Sequence, residues 1–156
     1  MSVVVKICGI TNAADGIAAA EAGADVLGFV FYEASPRFIR LDAAAAIIRQ
    51  LPPFIVKAGV FVDAPSDLVV RAIGDCGLNL LQFHGNELPE YCTQFGLMSL
   101  KAFRVKDATS LELLPPDRFP HVHALPDVDD PEEAWAFSVE TLVAGLHTQV
   151  RRARRR

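Results

Sequence analysis

Residues 23–31 read Gly23-Ala24-Asp25-Val26-Leu27-Gly28-Phe29-Val30-Phe31, and residues 77–83 follow the same plan as Gly77-Leu78-Asn79-Leu80-Leu81-Gln82-Phe83. In each stretch, a glycine of the kind that ends a helix stands just before a nearly continuous apolar run. Such runs are typical of strands that are covered on both faces in a parallel sheet. The repeat predicts that strand and helix units succeed one another along the chain.

The same alternation extends to both sides of these stretches. Strands are predicted at Val3–Ile7, Asp25–Phe31, Phe54–Val62, Leu78–Phe83 and Ser99–Phe103. Helices are predicted at Ala13–Ala22, Leu41–Leu51 with Asp42 as its cap, Pro65–Ile73 and Leu88–Phe95. These units fit either an open doubly wound sheet or a closed eight-fold barrel, and periodicity alone does not choose between the two.

Beyond Lys106 the pattern is less regular. A short helix is predicted at Ser110–Leu114 and a sixth strand at His121–Leu125, before the acidic stretch Asp127–Glu133. The segment Trp135–Arg156 is interpreted as one long helix.

Length and composition predict one globular domain over residues 1–150, followed by an arginine-rich tail over residues 151–156. The chain has 156 residues, of which 51% are hydrophobic, and this is enough to bury a substantial core. The five arginines of the tail hide the charge of the body, in which nineteen acidic residues face ten basic ones, a net charge of −9. An acidic body disfavours nucleic acid as a partner, and the tail is interpreted as solvated.

Neither a membrane nor a disulfide framework is predicted. The chain has no apolar run of about 18 residues and no signal peptide pattern, so we expect a cytoplasmic protein without a membrane partner. Cys8, Cys76 and Cys92 form no CxxC pair and have no histidine at zinc-site spacing, so no structural metal is expected either.

Residues that could carry chemistry follow the predicted strands, where the sites of parallel α/β folds lie. They are Cys8, Arg37, Asp63, His84, Arg104 and Asp127. No GxGxxG, Walker, HExxH or GxSxG motif accompanies them, so nucleotide, zinc and esterase functions have no support.

Four of these candidates also have a structural interpretation. Cys8 is a base or nucleophile at a barrel mouth, or a small buried hydrophobic residue. Arg37 is a clamp for a carboxylate, or a solvated loop residue. His84 is a proton shuttle, or a histidine that only stabilises the end of its strand. Asp127 is a general acid, or one member of an acidic loop.

Five segments in order resemble the phosphoribosylanthranilate isomerase family. They are Lys6-Ile7-Cys8-Gly9-Ile10-Thr11, residues 23–32, Ser35-Pro36-Arg37, Gly59-Val60-Phe61-Val62 and Gln82-Phe83-His84-Gly85. The resemblance covers Val3 to Val105 and implies a TIM (β/α) barrel rather than the open sheet.

The resemblance also implies a reaction. Members of the family convert phosphoribosyl anthranilate, a phosphosugar substrate, by an Amadori rearrangement in tryptophan biosynthesis, without a metal or an organic cofactor. By this resemblance Cys8 is the general base and Asp127 the general acid. Arg37 binds the anthranilate carboxylate, and His84 lines the pocket.

The resemblance weakens after Asp127, where the glycine-rich loop of the family is absent. Gly145, within Leu142-Val143-Ala144-Gly145-Leu146, is similar to part of the family's phosphate loop. We therefore expect an incomplete barrel of six to seven strands instead of eight. Two alternatives stay open: an inactive remnant that self-associates through exposed strand edges, and another phosphosugar enzyme built on a barrel.

Overall fold

The computed structural model describes residues 4–103, which lie within the compact unit Met1–Lys106. Strands and helices alternate throughout this part of the chain. The elements are β1 (Lys6–Cys8), α1 (Ala13–Glu21), β2 (Val26–Val30), α2 (Leu41–Ile48), β3 (Val56–Phe61), α3 (Ser66–Cys76), β4 (Leu80–Phe83), α4 (Pro89–Thr93) and β5 (Met98–Lys101). The predicted elements at Ser110–Leu114, His121–Leu125 and Trp135–Arg156 lie outside the described residues.

The described strands form one sheet in the order β1-β2-β3-β4-β5, and every neighbouring pair is parallel. A doubly wound sheet reverses its strand order at a switch point, whereas a barrel adds each strand beside the one before it. The described residues therefore form four successive strand and helix units and a fifth strand of an incomplete α/β barrel. This confirms the predicted alternation and decides between the two architectures that periodicity left open.

One face of the sheet is covered by the helices and holds most of the core. Phe29, Phe61 and Phe83 are completely buried there, together with apolar residues of α2 and α3. The rings of Phe61 and Phe83 lie 5.9 Å apart. Because large aromatic side chains bury the most apolar area, this helix-covered face supplies most of the hydrophobic stabilisation of the described unit.

The opposite face, called the inner face below, carries smaller side chains. Successive residues of a strand point to opposite faces, and Val26, Ala58 and Leu80 form a separate apolar cluster on this side. The register places Cys8 beside Gly28 and Gly28 beside Ala58, so these residues share one row across the inner face.

The glycines that were predicted to end helices do so. Gly23 follows α1 with a φ of +95°, and Gly77 caps α3 with a φ of +66°. Left-handed backbone of this kind costs glycine little because it has no Cβ. The stop of each helix, and hence the start of β2 and β4, was therefore visible in the sequence.

The predicted cap of α2 is wrong. Arg40, not Asp42, occupies the N-cap position, and it makes no side-chain cap hydrogen bond. Asp42 lies in the first turn and pairs with Arg40 across 3.1 Å. The hydrogen bond from Arg40 lowers the pKa of the Asp42 carboxyl, and a carboxylate near a helix N-terminus is favourable without being the cap.

The bounds of β1 also differ from the prediction at Val3–Ile7. The strand runs over Lys6–Cys8, because its ladder begins where Val5 accepts hydrogen bonds from the backbone of Asp25 and Val26. Cys8 is thus the last residue of the strand rather than the first residue of the loop.

No helix among residues 4–103 is long and apolar enough to cross a membrane.

Candidate functional site

The carboxyl ends of parallel strands meet along one edge of the sheet, and four predicted site residues lie there. Cys8 ends β1, Arg37 follows β2, Asp63 follows β3, and His84 comes directly after β4. Arg104, Asp127 and Gly145, which were also predicted as site residues, lie outside the described residues.

Cys8 and Arg37 are in contact. The guanidinium Nη1 of Arg37 donates to the carbonyl oxygen of Cys8 across 3.4 Å. The aliphatic part of Arg37 lies over Gly9, where an added Cβ would come within 2.4 Å of Arg37 Cδ. Gly9 has a φ of +91°, so both its conformation and the close approach require glycine.

A compact turn places Arg37 in this position. The backbone N–H of Arg37 donates to Ser35 Oγ across 3.1 Å, and Phe38 N donates to the Ser35 carbonyl across 3.0 Å. The chain then returns to the sheet, since Ile39 N donates to the carbonyl of Val30. The Ser35-Pro36-Arg37 motif is therefore a folded turn that directs one arginine toward β1.

Cys8 is partly buried and lies on the inner face. A Cβ added to Gly28, its partner in β2, would lie only 2.8 Å from Cys8 Sγ. Glycine at this position therefore leaves the space that the sulfur occupies. The three cysteines are free thiols, and Cys76 and Cys92 are buried in the helix-covered core, well away from this space.

Lys6 is a site residue that sequence reasoning missed. It precedes Cys8 by two positions and therefore points to the same face. The same Cβ added to Gly28 would lie 3.0 Å from Lys6 Nζ. The available signal was the period of two along β1, but the sequence does not reveal which face of so short a strand is the inner one.

His84 lies at the same edge of the sheet, directly after β4, and β2 and β3 lie between β4 and β1. Its Nε2 lies 2.6 Å from Nε2 of Gln82. Since an amide nitrogen only donates, this orientation makes His84 Nε2 the acceptor. Gln82 Oε1 is the one buried side-chain polar atom without a hydrogen bond among residues 4–103, so Gln82 is a second residue of this edge that was missed.

A hydrogen-bond network holds the loops after β3 and β4. The buried carboxylate of Glu87 accepts from the backbone N–H groups of Asp63 and Gly85, each across 2.8 Å. Lys101 of β5 donates to the same carboxylate across 2.7 Å. The Asp63 carboxylate in turn accepts from Asn86. Three strand ends are thus tied together beside His84.

The Gly85 position tolerates no side chain. An added Cβ would lie 2.4 Å from Asp63 Oδ1 and 2.6 Å from the Asp63 backbone nitrogen. The glycine of the Gln82-Phe83-His84-Gly85 motif is therefore explained by close packing of the two loops.

A cavity of about 700 Å³ lies elsewhere, beside α2 and α3. Its lining includes Arg40, Arg49 and Arg71 but neither Cys8 nor His84. Because it lies on the helix-covered side, away from the ends of β1 and β4, we do not assign it to the candidate site. Among residues 4–103, no group of three His, Cys, Asp or Glu side chains is arranged to hold a metal ion.

Sequentially ordered parallel strands, with polar side chains gathered at their carboxyl ends, define a protein of the (βα)-barrel class. The sequence model of the N-(5'-phosphoribosyl)anthranilate (PRA) isomerase family matches residues 5–144. The chain therefore belongs to this family, and the resemblance identified from five segments is confirmed.

A relative from Geobacter sp. (strain M21), named N-(5'-phosphoribosyl)anthranilate isomerase, is 56% identical over 111 residues. The match covers 71% of this chain and 54% of that relative. The chain thus spans about half the length of the relative that it matches.

Two solved structures are similar to the described fold. A phosphoribosyl anthranilate isomerase in complex with reduced 1-(o-carboxyphenylamino)-1-deoxyribulose 5-phosphate has a TM-score of 0.68 and 38% identity, over 72% of this chain and 59% of that one. A structure of monomers generated from the dimeric enzyme of Thermotoga maritima has a TM-score of 0.66 and 37% identity, with the same coverage. Both support the assignment to an incomplete barrel.

Proposed function

We propose that this chain catalyses the isomerisation of N-(5'-phosphoribosyl)anthranilate to 1-(2-carboxyphenylamino)-1-deoxyribulose 5-phosphate, a step of tryptophan biosynthesis. The observation that carries the proposal is the hydrogen bond from the guanidinium of Arg37 to the backbone carbonyl of Cys8 at the carboxyl end of β1. It brings the residue that bears the thiol and a cation that suits a carboxylate to the same strand end, and the substrate needs both a base and a carboxylate-binding group.

In the proposed reaction, Asp127 protonates the furanose ring oxygen, and the ring opens to a protonated Schiff base. The Cys8 thiolate then removes the proton from C2. The C2–H electron pair forms the C1–C2 double bond, and the former C=N pair returns to nitrogen, which gives an enolamine. The product is the keto form of this enolamine. The steps need only acid and base catalysis.

Arg37 is proposed to bind the anthranilate carboxylate. Its side chain is held over Gly9 by packing, and within residues 4–103 only Nη1 is engaged, with the carbonyl of Cys8. The remaining N–H groups of the guanidinium are therefore available for a paired interaction with a carboxylate.

His84 is proposed to line the pocket, and Gly145 to contribute a backbone N–H to the phosphate. The network of Glu87 and Lys101 supports the position of His84, because it fixes the loop that follows β4. A backbone donor at Gly145 would suit a phosphate, which binds well to N–H groups in barrel loops.

The test is the loss of substrate fluorescence when purified protein consumes freshly generated phosphoribosyl anthranilate. We expect Cys8→Ala to reduce turnover by at least about a hundredfold, the usual contribution of a general base. Cys92→Ala is the matched control, since Cys92 lies in the helix-covered core and should keep most of the turnover. If folded wild-type protein caused no loss of substrate fluorescence, the result would contradict the proposal.

Self-association is proposed as the partner interaction. Apolar side chains of β1 and β5 are exposed, with Ile7 42% and Met98 62% exposed. Exposed apolar groups of this kind favour contact with another chain, and one relative of this chain is a dimeric enzyme. Sedimentation velocity that gave a monomer at every concentration would contradict this.

A further inference from the structure

Lys6 and Cys8 share one small space on the inner face of the sheet. The position that a Cβ on Gly28 would occupy lies 3.0 Å from Lys6 Nζ and 2.8 Å from Cys8 Sγ. The ammonium and the thiol therefore approach the same spot from two successive inward positions of β1. Gly28 leaves that spot open, because any larger residue would displace both groups.

Within residues 4–103, Lys6 makes no hydrogen bond or ion pair, although it is partly buried. The other two lysines in this range contrast with it. Lys57 donates to the carbonyl of Pro53, and Lys101 pairs with Glu87. An ammonium that no carboxylate of the described residues neutralises is available to a negative charge that forms during a reaction.

We propose that Lys6 is a positioning residue whose ammonium stabilises negative charge on the sulfur of Cys8. The inference rests on the proposed function, in which the thiolate of Cys8 takes the proton from C2 of the substrate. Lys6 keeps its own proton throughout, so the S–H bond forms with the proton that leaves C2. The ammonium holds the anionic sulfur in the pocket before that transfer.

Arg37 is the other cation beside Cys8, and its role is different. Its Nη1 contacts the backbone carbonyl of Cys8 rather than the sulfur, and its side chain is exposed. Lys6 lies on the inner face with the thiol, and both residues are partly buried, so their interaction is screened less than one between fully exposed groups. Loss of the Lys6 charge should therefore affect the sulfur directly.

The test measures alkylation of Cys8 by mass spectrometry and needs no turnover. Wild type, Lys6→Met, Lys6→Arg and Arg71→Met are treated at neutral pH with neutral iodoacetamide and, separately, with anionic iodoacetate. Arg71→Met is the matched control, since it removes one exposed positive charge from α3. Burial raises the pKa of Cys76 to about 11 and also raises that of Cys92, so these thiols should react slowly and serve as internal references.

We expect Lys6→Met to slow the alkylation of Cys8 by iodoacetamide on the order of threefold to tenfold. The loss should be greater with iodoacetate, because the ammonium also attracts the anionic reagent. Lys6→Arg should restore most of both rates, and Arg71→Met should match wild type. If Lys6 had only a structural role, its substitution would not change the ratio of the iodoacetate rate to the iodoacetamide rate.

Equal ratios of the two rates in wild type and Lys6→Met would overturn the inference. Circular dichroism verifies that each variant is folded, and Lys6→Gln replaces Lys6→Met if the latter fails this check. The result is separable from the proposed function. Lys6-dependent alkylation without any isomerase turnover would support the charge interaction and contradict the proposed activity. Turnover with Lys6-independent alkylation would support the activity and contradict the charge interaction.

Discussion

The two faces of the sheet differ in the size of their side chains. Phe61 and Phe83 fill the helix-covered face and are completely buried, whereas Gly28 and Ala58 occupy the middle of the inner face. Large apolar groups supply the free energy of folding, and small ones leave space for a ligand. The contrast indicates that stability and chemistry are assigned to opposite sides of the same strands.

The polar groups follow the same division. Lys101 shares a row with Phe83 on the helix-covered side, and its charge is neutralised by Glu87. Lys6, on the inner face, has no such partner within residues 4–103. A buried paired charge depends on its partner, so removal of either one destabilises the fold, while an unpaired charge is available to a substrate or to a reacting group. Substitutions on the two faces should therefore separate folding from activity.

The largest effect is expected from Phe61→Ala, which should lower the free energy of unfolding by about 3–5 kcal/mol. The ring is completely buried and packs against both Phe31 and Phe83, so its removal leaves a cavity. Urea unfolding followed by circular dichroism measures the loss. Phe54→Ala is the control, since Phe54 is 95% exposed. Equal losses in the two variants would contradict the role of the helix-covered face in stability.

Lys101→Met comes next, with a loss of roughly 2–4 kcal/mol. The substitution leaves the Glu87 carboxylate, whose side chain is 3% exposed, without its counter-charge. The matched control is Arg40→Met, which removes the exposed pair with Asp42 and should change stability little. If both variants unfolded at the same urea concentration as wild type, the buried pair would have no role in stability.

The fold was largely predictable because its signals are local. The apolar runs marked all five described strands, and Gly23 and Gly77 marked two helix ends. The cap of α2 was not predictable, since Asp42 is a better cap by residue type. Arg40 has the extended backbone that the N-cap position requires, with φ −73° and ψ 152°. Tertiary connections, rather than side-chain preference, set that boundary.

The site was only partly predictable because its contacts cross between strands. Cys8 and Arg37 were predicted from their sequence motifs, but the contact between them depends on the close approach of Arg37 to Gly9. The pairing of Glu87 with Lys101 depends on the register of β4 with β5. To predict Lys6 as a site residue, one would have to know which face of β1 is the inner one. None of these conditions is encoded in the spacing of residues along one segment.

Gly28→Ala tests the inner face and should cost only about 1 kcal/mol of stability. The new methyl would contact Cys8 Sγ and Lys6 Nζ, so turnover should fall by roughly a hundredfold, as expected for a displaced catalytic group. Gly74→Ala in α3 is the control, because an added Cβ there meets nothing within 4 Å. It should keep activity and gain stability. Equal turnover in both variants would count against a functional inner face.

The smallest effect concerns Cys76 on the helix-covered side, and it depends on pH. Burial raises the pKa of this thiol from its ordinary value of 9.0 to about 11, and its Sγ donates to the carbonyl of Leu41. Between these two values the unfolded chain has lost the proton that the folded chain keeps. Stability from this group is therefore present below pH 9 and is lost as the pH rises toward 11.

The contribution of this one thiol should be on the order of 1 kcal/mol. Cys76→Ala should accordingly show a shallower loss of stability than wild type when urea unfolding is repeated from pH 8 to pH 11. Some decline should persist, because burial also raises the pKa values of Tyr91 and Cys92. Parallel curves for the two proteins would mean that the thiol ionises equally in the folded and unfolded chains.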